Sequence, residues 1–255
     1  AQSYMRKVDK SCGLKKIYMK NQLKKILKKE GKYCIQADHL FTFNQKDKRL
    51  IEKYYGRSSC EVLNPYYGLE EETIYQSVDD HQKEPFSICF LGQMGRDENY
   101  LAAIRLIEIA RKVKKQIPEL QVYIVGNQPP QQLKQKENDF IHVTGFVEDV
   151  DSYLRRSTIA VFPLTLGAGI KLKVLRSLAL GLPVITGRVG AEGIDEEGDV
   201  IVMAETDEEY EQKIIHLLRR EDFRKEISEK GRLFIQKRFS WEISERILSD
   251  TYGKG

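Results

Sequence analysis

Residues 158–173 read TIAVFPLTLGAGIKLK, and the order of residue types in this stretch predicts the class of fold. The apolar run 158–162 is typical of a buried strand and stops at Pro163. A turn of small residues follows, and a helical pattern begins near Lys171. A strand, a glycine-containing turn and a helix in this order belong to a βαβ unit, so the stretch predicts a parallel sheet with helices packed on it.

Short apolar runs and helical patterns alternate on both sides of this stretch, from residue 85 onward. The pattern predicts strands near residues 86–91, 122–125, 141–143, 158–162, 183–186 and 200–203. It predicts helices around Tyr153 and over residues 99–116, 171–180, 206–219, 221–237 and 240–251. This alternation is typical of an α/β domain with right-handed crossovers. Ligands of such sheets bind beyond the carboxyl ends of the strands, so we expect a site at the loops after Leu91, Val125, Val143 and Phe162.

The composition is that of a globular protein. The 255 residues are 41% hydrophobic and 31% charged, which excludes wholesale disorder. No apolar run reaches the ~18 residues of a membrane-spanning helix. The net charge of +4 does not require a polyanionic partner, and we expect no nucleic acid partner. The four cysteines contain no CxxC pair, so we expect free intracellular thiols and no zinc site.

Positive charge is concentrated in residues 1–32, which carry a net charge of +9, whereas the remaining residues carry −5. Apolar residues recur there at near-helical spacing, which predicts an amphipathic helix with lysines on its exposed face. Two interpretations stay open: a solvated helix face, or a contact of residues 6–32 with anionic membrane lipid or an acidic partner. Beyond it we predict short apolar stretches at 39–43 and 61–63, a helix over 46–55 and a linker over 64–84.

The loop before residue 171 has the composition of an anion site. Gly167 and Gly169 lack side chains, so a ligand can approach the backbone closely. The first N–H groups of the following helix are unpaired and carry a partial positive charge, which suits a diphosphate. Lys171 and Lys173 would add mobile positive charge. A tight turn followed by a solvated helix is the alternative interpretation.

Two other phosphate-binding patterns, Walker A and GxGxxG, are absent from the sequence. Gly187, Gly190 and Gly193 are spaced three apart, but no helical pattern opens on them, so we expect a loop there. The sequence also lacks an acid at the end of the second predicted strand. These observations argue against a nicotinamide-dependent Rossmann enzyme.

Several motifs together resemble the carboxyl-terminal domain of GT-B glycosyltransferases, in particular the large retaining group called family 4. They are Leu91-Gly92 with Asn99, Val122 to Gly126, Thr144 to Val150, Pro163 to Lys173, Ala179 to Thr186 and Ala191 to Ile194. The resemblance covers residues 85–252. It implies an α/β fold in which a Rossmann-like parallel sheet domain of GT-B type accompanies a partial amino-terminal domain.

The resemblance also implies domain boundaries. Residues 1–80 would be the last part of an amino-terminal, acceptor-side domain and its linker, and 81–238 the nucleotide-sugar-binding domain. Residues 239–255 would form a helix that crosses back, with Phe239 and Trp241 as its apolar anchor. A complete enzyme of this family would need more amino-terminal sequence before Ala1, so we expect these residues alone to be inactive.

For the site, the resemblance implies a nucleotide sugar as donor substrate, with no cofactor and no metal. The diphosphate would lie on the loop 167–170, and the base would lie near Val147. The expected substrate-binding residues are Gly92, Arg96, Val147, Gly167, Ala168, Gly169, Ile170, Lys171, Lys173 and Arg176. The catalytic residues are not identified. The implied reaction transfers a sugar, with retention, to a hydroxyl of a sugar, lipid-linked or protein acceptor.

One position departs from the family. Members carry paired glutamates eight positions apart, where this chain has Ala168 and Arg176. Arginine has five donors and no acceptor, so it cannot accept hydrogen bonds from ribose hydroxyls. We expect Arg176 to contact phosphate or an acidic residue of its own fold; the alternative is a decayed site in which it points into solvent.

Two functions remain open at this stage. The first is a glycosyltransferase of bacterial surface polysaccharide or lipopolysaccharide synthesis, cytoplasmic and peripheral on the inner face of the cell membrane. The second is a non-catalytic or degenerate GT-B subunit that binds a nucleotide or a partner protein, which Arg176 favours.

Overall fold

The computed structural model describes residues 2–9, 11–67 and 83–253. Most of the predicted linker lies outside these described residues, at 68–82. The amino-terminal part consists of α1 (Gln2–Asp9), α2 (Gly13–Gln36), β1 (Phe41–Thr42), α3 (Gln45–Tyr55) and β2 (Glu61–Val62). The two strands pair in parallel.

The basic segment is helical, as predicted, but it forms two helices rather than one. Gly13 has a φ of 56°, a left-handed conformation that interrupts the helical path between α1 and α2. Seven of the eight lysines of α2 face solvent, at positions 15, 20, 24, 25, 28, 29 and 32, and Lys16 is partly buried. The next helix, α3, begins at a defined cap, because the Asn44 side chain accepts a hydrogen bond from the backbone N of Asp47 at 2.8 Å.

The predicted α/β class is confirmed by six further strands. They are β3 (Ser87–Leu91), β4 (Gln121–Val125), β5 (Ile141–Gly145), β6 (Ile159–Phe162), β7 (Val184–Thr186) and β8 (Val202–Met203). They form one sheet in the order β5-β4-β3-β6-β7-β8, and every neighbouring pair is parallel. The first strand lies inside the sheet and the chain proceeds first to one edge and then to the other, which is the Rossmann-like order.

Both faces of the central strands are covered, so β3, β6 and β7 are buried along almost their whole length, whereas β4 and β5 alternate between buried and partly exposed residues. All four residues of β6 are buried, and Phe162 packs on Phe90 of β3 with ring centroids 5.8 Å apart. The covering helices follow the predicted ones to within three residues. They are α4 (Asp97–Lys114), α6 (Val150–Arg156), α7 (Leu172–Ala179), α9 (Asp207–Arg219) and α10 (Glu221–Arg238). The last helix, α11 (Trp241–Tyr252), also follows its predicted range but contributes no residue to the core of the sheet domain.

Two four-residue helices were not expected: α5 (Gln131–Lys134) and α8 (Arg188–Ala191). The second corrects the loop predicted around Gly187. It packs close to the end of β7, because a Cβ on Gly190 would lie 1.9 Å from Oγ1 of Thr186. Only glycine fits this contact at position 190.

The last strand is shorter than predicted because its first residues bond elsewhere. The backbone N atoms of Val200 and Ile201 each donate to Oδ2 of the buried Asp195 at 2.8 Å. These N–H groups are therefore satisfied by a carboxylate rather than by β7. Strand pairing begins only at Val202.

The final helix contacts residues 64 and 66, just after β2; that residues 239–255 cross back between two domains stays a prediction. Trp241 packs edge-on against Tyr66 with centroids 5.7 Å apart, and Oγ of Ser244 donates to the carbonyl O of Asn64 at 3.1 Å. The expected role of Phe239 as an anchor for this docking is wrong. Its side chain is 1% exposed and belongs to the core of the sheet domain, because it precedes the helix and packs on Phe234.

All four cysteines are free, with Cys12 exposed and the others buried. Within the described residues, no helix combines the length and the apolar character needed to cross a bilayer.

Candidate functional site

The loops after the first three strands of the main sheet meet at one edge. The backbone N of Gly92, after β3, donates to the carbonyl O of Val125 at 3.0 Å, and that of Gly126 donates to the O of Gly145 at 3.2 Å. A Cβ on Gly126, whose φ is 141°, would lie 1.8 Å from the O of Gly92. The close approach of the backbone at Gly92 and Gly126 holds these loops together, and they form the floor of the candidate site.

The glycine-containing loop between β6 and α7 completes this edge. Gly167 and Gly169 have φ values of 114° and 72°, a region that other residues rarely adopt. A Cβ on Gly169 would meet no atom within 4 Å, so this backbone faces open space. Lys171 is the N-cap residue of α7, and no side chain caps the helix there. The helix N–H groups are therefore available to an anion at this place.

Lys173 lies beneath the loop and connects it to the β3 edge. Its Nζ donates to Oδ1 of Asn99 at 2.6 Å, and lies 4.8 Å from the ring centroid of Phe90 and 5.4 Å from that of Phe162. A Cβ on Gly92 would come within 2.9 Å of this Nζ. Glycine at position 92 therefore leaves room for the ammonium group.

Burial lowers the pKa of Lys173 to about 7. The positive charges of Lys171 and Arg96 lower this pKa further, whereas Glu98 opposes them. No carboxylate of the described residues lies within 4.0 Å of Lys173. An anion bound here would supply the missing negative charge and would raise the pKa again.

The two lysines are less mobile than the sequence predicted. The side chain of Lys171 is 12% exposed and donates to the carbonyl O of Gly169. Lys173 is held by Asn99 and by two aromatic rings. The cations are therefore preorganised, a property that side-chain type alone does not indicate.

The other predicted site residues lie at or near this edge. Arg96 precedes α4, and its Nη2 pairs with Oε1 of Glu98 at 2.6 Å while most of the side chain is exposed. Val147 and Ile170 pack against the core of the sheet. Ala168 lies between the two loop glycines and lines a cavity with Gly169.

Arg176 turns toward an acid of its own fold, which is one of the two expected outcomes. Its Nε donates to Oδ1 of Asp151, on α6, at 2.5 Å. This hydrogen bond is the main cause of a raised pKa for the arginine. Arg176 is about one third exposed, so it is neither a free cation beside the loop nor a side chain pointing into solvent.

A buried carboxylate links the loop to the amino-terminal part. Glu192 is 2% exposed; its Oε1 accepts from Nζ of Lys46 at 2.6 Å, and its Oε2 lies 4.0 Å from Nζ of Lys171. Sequence reasoning did not select Lys46. The sequence predicted a helix over residues 46–55, but only the fold brings the start of that helix to residues 192–193.

A cavity of about 430 Å³ lies between α3 and the glycine-containing loop. Its wall is mainly apolar and aromatic, with carboxylates at Glu30 and Asp47. The residues from the amino-terminal part include Phe41, Phe43, Leu50, Ile51, Tyr54 and Tyr55, and those from the loop are Ala168 and Gly169. The candidate anion site therefore adjoins a space that a second molecule could enter.

Comparison with known proteins connects this site to a family. A family model described as glycosyl transferases group 1 matches residues 85–220, which is more than half of the chain. An uncharacterized glycosyltransferase of Methanocaldococcus jannaschii, MJ1178, is 31% identical over 98 residues, which are 37% of this chain and 27% of that protein.

Solved structures agree on the fold. A mutant of S. aureus TarM, crystallised with Fondaparinux, alpha-GlcNAc-glycerol and UDP, superimposes with a TM-score of 0.71 at 15% identity, over 86% of this chain and 45% of TarM. WaaG, a glycosyltransferase involved in lipopolysaccharide biosynthesis, gives 0.68 at 15% identity, over 84% of this chain and 62% of WaaG.

The chain thus spans less than two thirds of each of these relatives. The matched residues 85–220 contain the whole parallel sheet, the glycine-containing loop and both preorganised lysines. The chain therefore belongs to the glycosyl transferases group 1 family and carries a Rossmann-like domain of the GT-B fold.

Proposed function

We propose that this chain is the donor-binding part of a retaining glycosyltransferase that uses a nucleotide-diphosphate sugar. The observation that carries the proposal is Lys173, a buried cation without a carboxylate partner among the described residues. It lies beside a glycine-containing loop and an uncapped helix start. Burying a lone cation costs free energy, and a bound diphosphate offsets that cost.

In this proposal the diphosphate lies on the backbone of residues 167–170, within reach of Lys171, Lys173 and Arg96. The base lies near Val147, where β5 ends and a loop opens. During transfer the bond between the anomeric carbon and the diphosphate oxygen breaks, the carbon bonds to the acceptor oxygen, and the proton of the acceptor hydroxyl passes to the leaving diphosphate. Negative charge grows on the leaving diphosphate, so the preorganised cations and N–H groups stabilise the transition state.

The acceptor is proposed to enter from the side of the 430 Å³ cavity. Aromatic rings there offer faces to a sugar ring, and Glu30 and Asp47 offer acceptors to hydroxyl groups. A sugar, lipid-linked or protein-bound hydroxyl fits this chemistry. WaaG, whose fold the chain shares, acts in lipopolysaccharide biosynthesis, so we assign the activity to bacterial surface polysaccharide or lipopolysaccharide synthesis at the cytoplasmic face of the membrane.

Binding of UDP, GDP, ADP and CDP, measured by calorimetry, tests the donor site. Gly169→Val should abolish binding of the nucleoside diphosphate that the wild type prefers, because a branched side chain resists a φ of 72° and fills the space above the loop. Gly56→Val is the matched control for backbone strain, since its φ is 66° and an added Cβ there would likewise meet no atom within 4 Å. The proposal fails if the wild type binds none of the four, or if Gly169→Val binds normally.

A second candidate is a GT-B chain that binds a nucleotide without transferring sugar. The ion pair between Arg176 and Asp151 favours it, because the position that family members fill with a glutamate serves the fold here. Label transfer from a nucleotide sugar by the full-length protein separates the two. Nucleotide binding without any transfer or hydrolysis would support the second candidate.

A further inference from the structure

The buried carboxylate of Glu192 joins two lysines that are 125 residues apart in the chain. Its Oε1 accepts from Nζ of Lys46 at 2.6 Å, and its Oε2 lies 4.0 Å from Nζ of Lys171. Glu192 is 2% exposed and Lys171 12%, whereas Lys46 is 44% exposed. The contact with Lys171 is therefore shielded from solvent, where an electrostatic interaction is strong.

The position of Lys46 is set by close packing. Asn44 is 3% exposed and caps α3, accepting from the backbone N of Asp47 at 2.8 Å. A Cβ on Gly193 would lie 2.8 Å from Cβ of Asn44, so the helix start and the turn that carries Glu192 are in direct contact. Lys46 lies in the first turn of this helix, so the packing of the helix start fixes the backbone position from which its side chain reaches Glu192.

The three charges depend on one another. A buried carboxylate is costly unless it is compensated by cations. Lys46 supplies part of this compensation, which leaves Lys171 with charge to offer to a phosphate group. Without Lys46, Glu192 would attract Lys171 more strongly and would draw it away from the loop backbone that it now contacts at Gly169.

We propose that Lys46 is a positioning residue which, through Glu192, sets the place and the effective charge of Lys171. The amino-terminal part thereby controls how tightly the glycine-containing loop holds a diphosphate. This inference rests on the proposed function, in which Lys171 contacts the donor diphosphate. Lys46, on α3, acts on the donor site without touching the donor itself.

A double-mutant cycle on the full chain tests the coupling, with the nucleoside diphosphate that the wild type binds best as ligand. Lys46→Met should weaken binding about tenfold in the wild-type background and less than about twofold in the Lys171→Met background. Lys46→Arg should keep the wild-type affinity, because it retains the positive charge. Lys53→Met, which removes an exposed lysine of the same helix, is the control and should change nothing.

An equal loss in both backgrounds would overturn the inference, because it would indicate a general loss of packing or a direct effect on the ligand. So would an unchanged affinity of Lys46→Met at an unchanged melting temperature.

A second measurement needs no nucleotide, so that failure of the inference is distinguished from failure of the proposed function. The measurement is an NMR titration of ¹³C-methylated lysines, with the Lys171 signal assigned from Lys171→Met. The titration midpoint of Lys171 should be higher in Lys46→Met than in the wild type, because the negative charge of Glu192 is then no longer offset by Lys46. An unchanged midpoint would refute the coupling even if the wild type binds no nucleoside diphosphate.

Discussion

Nζ of Lys173 lies 2.6 Å from Oδ1 of Asn99, at the point where β3 and β6 end beneath the glycine-containing loop. This hydrogen bond ties α7 to α4 across the edge of the sheet. The same amide donates through Nδ2 to the carbonyl O of Gln93 at 2.9 Å, so the loop after β3 is held as well. The side-chain amide of Asn99 thus joins three segments of the candidate site: α4, α7 and the loop after β3.

The lowered pKa of Lys173, about 7, predicts a pH dependence of donor binding. Because a bound diphosphate favours the protonated lysine, affinity should fall as pH rises above 7, by at most about tenfold per unit. Calorimetry between pH 6 and 8 measures this with a nucleotide sugar, whose doubly esterified diphosphate does not titrate in this range. Lys173→Arg, which stays charged, should remove the slope. An identical slope in that variant would contradict the assignment.

The same pKa predicts a stability effect of opposite sign. The unfolded chain binds more protons at Lys173 than the folded chain between pH 7 and 10.5, so this group makes the folded state more stable as pH rises through that window. In Lys173→Met this contribution should vanish. The difference in unfolding free energy between wild type and variant, measured by urea titration at pH 7 and 9, checks the sign.

Gly126 should tolerate substitution far less than Gly145. An added Cβ at Gly126 would lie 1.8 Å from the O of Gly92, whereas at Gly145 it would meet nothing within 4 Å. Gly145→Ala should therefore cost only the strain of its φ, about 1–2 kcal/mol. Gly126→Ala should cost more than ~3 kcal/mol or prevent folding. Equal losses of unfolding free energy in urea titration would show that the loops at Gly92 and Gly126 do not approach each other as described.

Arg176→Glu should act on stability rather than on nucleotide binding. The new carboxylate would face Asp151 on α6 in place of an ion pair at 2.5 Å. Since Arg176 is one third exposed, solvent weakens both the lost ion pair and the new repulsion between carboxylates. We therefore expect the free energy of unfolding to fall by about 1–2 kcal/mol. Asp151→Lys in the same chain should recover most of it. A variant of normal stability with weaker nucleoside diphosphate binding would instead place Arg176 at the phosphate.

We also predict that the start of α2 binds anionic lipid. Leu14, Ile17 and Tyr18 are 85%, 59% and 63% exposed, and the lysines that follow them face solvent. An apolar patch beside a basic face suits the surface of an anionic bilayer, where each lysine adds about 1 kcal/mol at low salt. Sedimentation should therefore show binding to phosphatidylglycerol vesicles that high salt weakens, and little binding to phosphatidylcholine.

A pair of matched variants makes this lipid test specific. Leu14→Ser combined with Ile17→Ser should reduce vesicle binding. Ile35→Ser, which alters an equally exposed residue at the far end of α2, should not. Equal sedimentation with neutral and anionic vesicles, or an equal loss in both variants, would show that the basic face is only solvated.

The sequence by itself determined the class of fold and the loop where the site lies. Strands buried on both faces must be continuously apolar, and a run such as residues 158–162 can be recognised locally. Glycines with positive φ, as at positions 167 and 169, also leave a local signal, because few other residues adopt that conformation. Both kinds of information depend only on neighbouring residues.

Only the tertiary structure decided which partners the charged side chains have. Lys46 meets Glu192, Arg176 meets Asp151 and Lys173 meets Asn99, and each pair is separated by many residues. A long flexible side chain reaches several acceptors, and nothing in its own neighbourhood specifies which one the fold brings near. Lys171 and Lys173 therefore read as mobile cations in the sequence, and burial between packed elements is what holds them in place.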